Sequence, residues 1–356
     1  MTKDKSIYIK NIYYMLSYAF QVLKQSNFDE VAGEEFENAQ DLFAAILAKG
    51  IARQLKQGLH RTYVTEHETL SVIRGKLNMP GTIRNRIKRQ TKPCCVFDEM
   101  SVNNTFNQIL KTTVHFLLRA EGVKPDRKSA LKKILVFFDG IELIDPFSIQ
   151  WKQLQYSRNN RSYELLMNIC CFILDGMLQT TESGDYKMAA FSDEHMARLY
   201  EKFILGYYKE HHTYLSEVRA AQVKWDIIGD NDVSLIRFLP VMQTDVMLRL
   251  KDKILIIDAK FYGKTLQHRF DKYTLHSGNV YQIYSYVKNQ DVKHTGNVGG
   301  LLLYAKTDEE ITPNGMVNIG GNWIGAATLD LNVDFRIIAE QLDKIAYDFF
   351  HVITHH

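Results

Sequence analysis

Two aspartates and a lysine in the segment 241–260, VMQTDVMLRLKDKILIIDAK, have the types and spacing of a metal-assisted hydrolytic centre. With Lys251-Asp252 as a two-residue hairpin loop, Leu250 pairs with Lys253, and counting back along both strands sets Asp245 opposite Asp258. Cβ atoms in such a pair sit about 4.5–5.5 Å apart, where two bare carboxylates repel each other. A divalent cation between them removes that repulsion. Side chains alternate along a strand, so Lys260 projects from the same face as Asp258 while Ala259 points away. Oxygen donors at this density suit Mg²⁺, which keeps several waters and takes one or two protein carboxylates. The lysine is then placed to align an attacking water or help deprotonate it. Two alternatives stand beside this reading. Lys-Asp is not a favoured two-residue loop, and a three-residue loop shifts the register by one. A structural ion pair of Lys260 with either aspartate also produces such a cluster.

The elements that must hold this set follow from hydrophobic periodicity. Ile254 to Ile257 is apolar at every position, as in a central strand buried on both faces. Helices are expected near Tyr163–Leu178 and Ser192–Lys209, then strands near Gln222–Ile227, Val241–Leu250 and Lys253–Phe261. A helix near Ser277–Asn289, a strand at Val298–Ala305 and a final helix from about Val333 complete an α-β-β-β-α-β order with a mixed sheet. The first half reads differently, with helical spacing through Ile12–Leu23, Phe36–Leu55 and Phe106–Leu118. A strand-rich, exposed, hairpin-bearing element at about 63–97 interrupts these, and a helix near Ala130–Phe138 and a turn at Asp145-Pro146 close the half. The expected fold class is α+β / α/β. A mixed helical domain with a β-hairpin insertion spans 1–158, and the α-β-β-β-α-β domain spans 159–356, divided at the polar run Ser157–Arg161.

Composition supports two domains and limits what they do. A chain of 356 residues is long for one ordinary domain, and only six prolines leave little room for extended linkers. With 44 basic and 41 acidic residues the net charge is only +3, so affinity for a polyanion has to come from local patches. One such patch is Arg74, Lys76, Arg84, Arg86, Lys88, Arg89 and Lys92, with no acidic residue between Glu68 and Asp98. It reads as a DNA phosphate track, a projection into a partner protein or a solvated loop. The cysteines fall in two adjacent pairs, Cys94-Cys95 and Cys170-Cys171, which suit reduced buried thiols rather than zinc or a disulfide framework. The N-terminus lacks signal-peptide form, and the longest apolar stretch, Leu165–Leu178, carries Asn168 and Asp175 and is too short for a membrane span. A soluble, cytoplasmic protein without a membrane partner is expected. No phosphate-loop motif and no zinc-spaced histidine cluster occurs, so this chain is expected to bind no nucleotide itself.

Asp245 with Asp258-Ala259-Lys260 on a hydrophobic strand, in that element order, resembles the PD-(D/E)XK nuclease superfamily. The stretch Asn11 to Ala19 (NIYYMLSYA), Thr244-Asp245, Ile257 to Tyr262 (IDAKFY) and Gly299-Gly300-Leu301-Leu302 together are similar to McrC, the nuclease subunit of McrBC-type modification-dependent restriction systems. The resemblance implies a DNA endonuclease in which Asp245, Asp258 and the Ala259 carbonyl hold Mg²⁺, with Mn²⁺ as a substitute, and Lys260 aligns the water. It implies an AAA+ GTPase ring as partner, in that family one that recognises modified cytosine and moves along double-stranded DNA. The N-terminal half is then the docking domain, with Arg74, Lys76, Arg84 and Arg86 as ring contacts.

Accessory residues follow from the same likeness. Glu201, on the flank of the apolar stripe of its helix, matches a glutamate many superfamily members place near the metal, against an ordinary boundary residue. Gln282 and Tyr286, four apart on one helix face, resemble a Gln-x-x-x-Tyr feature in which the glutamine orients Lys260 or touches the DNA backbone and the tyrosine braces it, against a tyrosine that is simply core beside Val280, Ile283 and Val287. Lys264, His268, Arg269 and Lys272 follow the strand in a polar loop suited to phosphates flanking the cut, or simply to solvent. Two rivals remain: a non-catalytic adaptor that tethers or activates an AAA+ ring, and a stand-alone repair nuclease of the same superfamily.

Overall fold

Two runs, 254–259 and 298–305, are buried at every position in the computed structural model, and a strand buries both faces only inside a sheet covered by helices on either side. The structure describes residues 9–20, 36, 38–157, 160, 162–176, 178–180, 186–188, 193–227, 229, 233–262, 267–269, 272–306 and 312–352. The chain divides into two units: Met1–Leu42 with Ala189–His356, and Phe43–Met188.

After α1 (Ile9–Phe20), α2 (Ala39–Gln57) leads into the second unit. There follow β1 (Thr62–Thr69), β2 (Lys76–Leu77), α3 (Met79–Ile87), β3 (Cys94–Ser101), α4 (Thr105–Arg119), α5 (Pro125–Leu135), α6 (Tyr163–Gly176), β4 (Leu178–Thr180) and β5 (Tyr186–Met188). The chain returns to the first unit with α7 (Asp193–His211), β6 (Glu217–Arg219), β7 (Gln222–Val223), β8 (Met242–Gln243), β9 (Val246–Leu250) and β10 (Lys253–Lys260). It ends with β11 (Gln267–Arg269), β12 (Lys272–Thr274), α8 (Ser277–Gln290), β13 (Val298–Ala305), β14 (Gly315–Ile319), β15 (Asn322–Leu329) and α9 (Phe335–Val352). Among the described residues no helix is long and apolar enough to cross a membrane.

The first unit is a six-stranded mixed sheet in the order β14-β15-β13-β10-β9-β6. The helix-strand crossover expected after β10 is present: β10 and β13 are parallel, joined through α8, and β9 and β10 are antiparallel. Adjacent glycines on β13 report the covering layers. A Cβ on Gly300 would lie 2.6 Å from Ile283 of α8, and one on Gly299 would lie 2.3 Å from the Phe349 ring of α9. Neighbouring residues on a strand face opposite sides, so α8 covers one face and α9 the other. α7 joins the α9 side through Tyr208, whose hydroxyl donates to Leu342 O at 2.9 Å. The β14–β15 hairpin was absent from the sequence-based expectation, because its alternation is weak and four of its first five residues are exposed.

The expected division at 158/159 does not coincide with these units. α1 belongs with the later residues: Asn11 donates to Leu331 O and Val333 O, both at 2.8 Å, and Tyr14 stacks on Phe335 at 4.3 Å. Gly206 lets α1 and α7 touch through their backbones, since a Cβ there would lie 2.2 Å from Tyr18 O. α6 packs in the other unit, where the Tyr163 hydroxyl donates to Asn107 Oδ1 at 2.8 Å and accepts from His60 N at 2.8 Å. Of the polar run, Ser157 and Asn160 are described, and Asn160 Oδ1 accepts from Ser157 N at 2.6 Å.

The basic element also differs from a simple hairpin. β1 pairs antiparallel with β3 in the register Thr62 with Ser101, and β2 lies on the far side of β3. Between β2 and β3 the chain forms α3, capped by Asn78 accepting from Gly81 N at 3.0 Å, and this helix has no buried residue. Pro80 and Gly81 read as breakers, yet proline is tolerated in the first helical turn, where its missing N–H would have no partner anyway.

One buried carboxylate in the first unit is fully occupied by structure. Asp291, 4% exposed after α8, accepts from Thr295 N and Oγ1 (2.9 Å each), Gly296 N (2.9 Å) and Asn322 Nδ2 (2.8 Å). Burial raises its pKa, but these donors outweigh burial and hold it below the usual carboxylate range. Stability from this group is therefore present above the unfolded carboxylate pKa and is lost as pH falls through the lower folded value. We expect Asp291→Ala to destabilise the protein by about 2–4 kcal/mol in urea unfolding at pH 7, because its donors lose a charged acceptor. The deficit relative to wild type should shrink only below about pH 4.

Candidate active site

β10 carries the expected residues to the edge of the helix layers. Its ladder with β9 pairs Leu250 with Lys253 and continues to Val246 with Ile257, so the two-residue loop at Lys251-Asp252 is the observed one. Lys251 adopts φ 53° there, the left-handed conformation a tight turn needs. The next pair in register would be Asp245 with Asp258, but the ladder stops one position short. Instead the Asp245 side chain takes over, accepting from Ala259 N at 2.7 Å through Oδ2.

The interruption has an identifiable cause. β6 pairs with β9 as Arg219 with Met247, and β7 pairs with β8 as Gln222 with Gln243. Two residues, 220 and 221, therefore face three, 244 to 246, which is a β-bulge on the strand that bears Asp245. Thr244 pins the bulge: its N and Oγ1 donate to Ala221 O at 2.9 and 3.0 Å, and its Oγ1 accepts from Ala221 N at 3.0 Å. A bulge re-aims a side chain, and here it turns Asp245 across onto β10.

Asp258 is 1% exposed, and Lys260 Nζ lies 2.8 Å from its Oδ2 as an ion pair. Lys260 also donates to Gln282 Oε1 at 3.2 Å, and Gln282 Nε2 donates to the Tyr286 hydroxyl at 2.8 Å. A lysine ammonium only donates, so the amide oxygen is the end of Gln282 that faces it, which leaves Nε2 for the Tyr286 hydroxyl. Burial opposes the charge of Lys260, but Asp258 beside it holds the ammonium pKa above its ordinary value. Asp245 is pushed up to about 7, by burial first and then by Asp258 and Glu201. Glu201 on α7 is raised by burial, with Lys260 opposing, and is in electrostatic range of both Lys260 and Asp258.

Among the described residues no group of three or more His, Cys, Asp or Glu side chains is arranged to hold a metal ion. Two carboxylates are what Mg²⁺ commonly takes from protein. Asp245 and Asp258 both offer hard carboxylate oxygens, and the pKa of Asp245 is raised by burial and by the neighbouring Asp258 carboxylate, a repulsion that a divalent cation would relieve, so the residues fit that ion. Lys264 lies outside the described residues. Arg269 pairs with Lys272 across β11 and β12, and their side chains lie outside the described part. Arg74, Lys76, Arg84 and Arg86 belong to the other unit, where Arg74 stacks on Phe97 at 4.1 Å and pairs with Glu99 at 3.6 Å.

Sequence reasoning left Thr244 without a role, because β-bulge pinning is legible only once two strand registers are known. It also overlooked Asn279, a buried polar residue three positions before Gln282 on the same face of α8.

The raised Asp245 value gives a signed prediction. A folded pKa above the unfolded one contributes stability that is present below about pH 4 and is lost as pH rises through about 7. In the metal-free protein, Asp245→Asn should therefore melt above wild type at pH 8, and the gap should close as pH falls to 5. An Asp245→Asn variant no more stable than wild type at pH 8 would contradict the carboxylate repulsion.

Comparison with known proteins adds lineage to this geometry. The model of the family described as McrBC 5-methylcytosine restriction system component matches residues 2–305. The Type IV methyl-directed restriction enzyme EcoKMcrBC of Escherichia coli (strain K12) is 29% identical over 339 residues, covering 94% of this chain and 95% of that protein. The refined half-complex from the tetradecameric assembly of Thermococcus gammatolerans McrB AAA+ hexamers with bound McrC aligns with a TM-score of 0.52 at 17% identity, over 92% of this chain and 75% of that one. That likeness is one of fold. With a family match over most of its length, this chain belongs to the McrBC 5-methylcytosine restriction system component family.

Proposed function

We propose that this chain is the nuclease subunit of a McrBC-type system, a Mg²⁺-dependent PD-(D/E)XK endonuclease that cleaves DNA phosphodiester bonds when assembled on an AAA+ GTPase ring recognising modified cytosine. The observation that carries this is Lys260, held between Asp258 and Gln282 at the end of β10, with Asp245 turned onto the same strand end by the bulge. Asp245, Asp258 and the Ala259 carbonyl are the residues that would hold the cation. When bound, Mg²⁺ or Mn²⁺ supplies Lewis-acid polarisation of the phosphate and a more acidic water.

The chain's own groups do the rest. Lys260 stays protonated and presents its ammonium to the attacking water and the phosphate, while Gln282 and Tyr286 fix its direction. Preorganising a charge in this way avoids the cost of orienting it during reaction. Glu201 lends negative potential from α7, and Lys264, Arg269 and Lys272 are candidates for flanking phosphates.

Assembly on a ring is supported by the relative solved with McrB AAA+ hexamers and by the surface of the second unit. Arg84 and Arg86 lie on α3, whose Met79, Ile83 and Ile87 are 58%, 54% and 76% exposed. Cationic and apolar side chains interleaved on a helix with no buried residue suit a protein partner better than a phosphate track. The intact Asp-Asp-Lys set disfavours a non-catalytic adaptor.

In the assembled complex with Mg²⁺, GTP and methylated DNA, Lys260→Ala should slow cleavage on the order of 10²–10⁴-fold while the ring still assembles. Cleavage at the wild-type rate would end the assignment. Activity without any ring would favour the stand-alone repair nuclease.

A further inference from the structure

α8 presents a polar stripe beneath the end of β10: Asn279, Gln282 and Tyr286, at i, i+3 and i+7. Gln282 and Tyr286 serve Lys260. Asn279 is 8% exposed and points elsewhere, its Nδ2 donating to the Tyr304 hydroxyl at 3.1 Å and its Oδ1 accepting from the Tyr262 hydroxyl at 3.3 Å. Tyr304 is fully buried on β13 and is the register partner of Lys260. Tyr262 is different. It follows Lys260 by two, lies on the Asn279 side while the intervening Phe261 meets Tyr200 of α7 at 6.1 Å, and is 38% exposed beside a lysine side chain that is 15% exposed. Its ring is steadied by His276 and Tyr304, at centroid distances of 5.3 and 6.3 Å.

A structural tyrosine at this depth would be expected to seat its hydroxyl at about 2.7–2.8 Å from an acceptor. The Tyr262 bond to Asn279 is about half an ångström longer, a weaker hydrogen bond. The phenol is within electrostatic range of the Lys260 ammonium and keeps an exposed edge. We propose that Tyr262 contacts substrate, donating its hydroxyl proton to a non-bridging phosphate oxygen beside the scissile bond, with Asn279 as the positioning residue that aims it. This rests on the nuclease reading above. A neutral donor suits the place, because it adds a hydrogen bond to phosphate without a second cation competing with Lys260 for Asp258.

The test uses the full chain assembled with its ring. DNA affinity is measured with Ca²⁺ replacing Mg²⁺, and kcat and KM for cleavage with Mg²⁺, for wild type, Tyr262→Phe, Asn279→Leu and the double variant. A hydrogen bond to a charged group predicts that Tyr262→Phe weakens DNA binding and raises KM on the order of 10- to 100-fold, with melting temperature and ring assembly unchanged. Asn279→Leu should raise KM in the wild-type background and add nothing in the Tyr262→Phe background, since it acts through the hydroxyl. DNA affinity and KM within about twofold of wild type for Tyr262→Phe, or a loss confined to kcat, overturns the proposal while leaving the nuclease intact. A wild-type complex that neither binds nor cuts DNA removes both readings.

Discussion

A carboxylate that is almost wholly buried must be compensated, and Asp258 is the point from which the rest of the first unit is organised. Removing an ionised side chain from water costs several kcal/mol unless an opposite charge and further polar contacts return it. The Lys260 ammonium 2.8 Å away supplies the charge. Lys260 in turn is held by Gln282 and Gln282 by Tyr286, both on α8, one of the helices that cover the sheet carrying Asp258 and Lys260. The burial that makes Asp258 costly is what strengthens its electrostatics toward anything bound beside it.

Asp245 completes the arrangement by a different device. A regular ladder would set it across from Asp258, two carboxylates on one face. The one-residue bulge pinned by Thr244 on Ala221 breaks the ladder there and commits one Asp245 oxygen to the Ala259 N–H. This links the two acidic residues through the backbone of the residue between Asp258 and Lys260. The protonation state of Asp245, poised near neutrality, remains sensitive to whatever occupies the space between them.

The second unit is inserted into the first rather than placed before it. α1, at the head of the chain, packs on α7 and on the entry to α9, so the sheet unit is built from both ends of the sequence. α7, the first helix after the inserted unit, bears Glu201.

The β9–β10 strand pair was legible because its signals are local. A two-residue turn sets the register of a hairpin, alternation sets which side chains share a face, and a run apolar at every position marks a central strand. Helices α7, α8 and α9 were legible for the same reason, through spacing alone. The basic helix α3 was missed where local signals conflict, with proline and glycine able to open a helix as well as to break one. What only the tertiary structure decided depends on distant partners. The bulge needs the registers of β6 and β7, the unit division needs Asn11 to find Leu331 and Val333, and the place of Asn279 needs Tyr262 and Tyr304 to meet over α8. No periodicity encodes these, because contacts between residues far apart in sequence form only when whole elements pack.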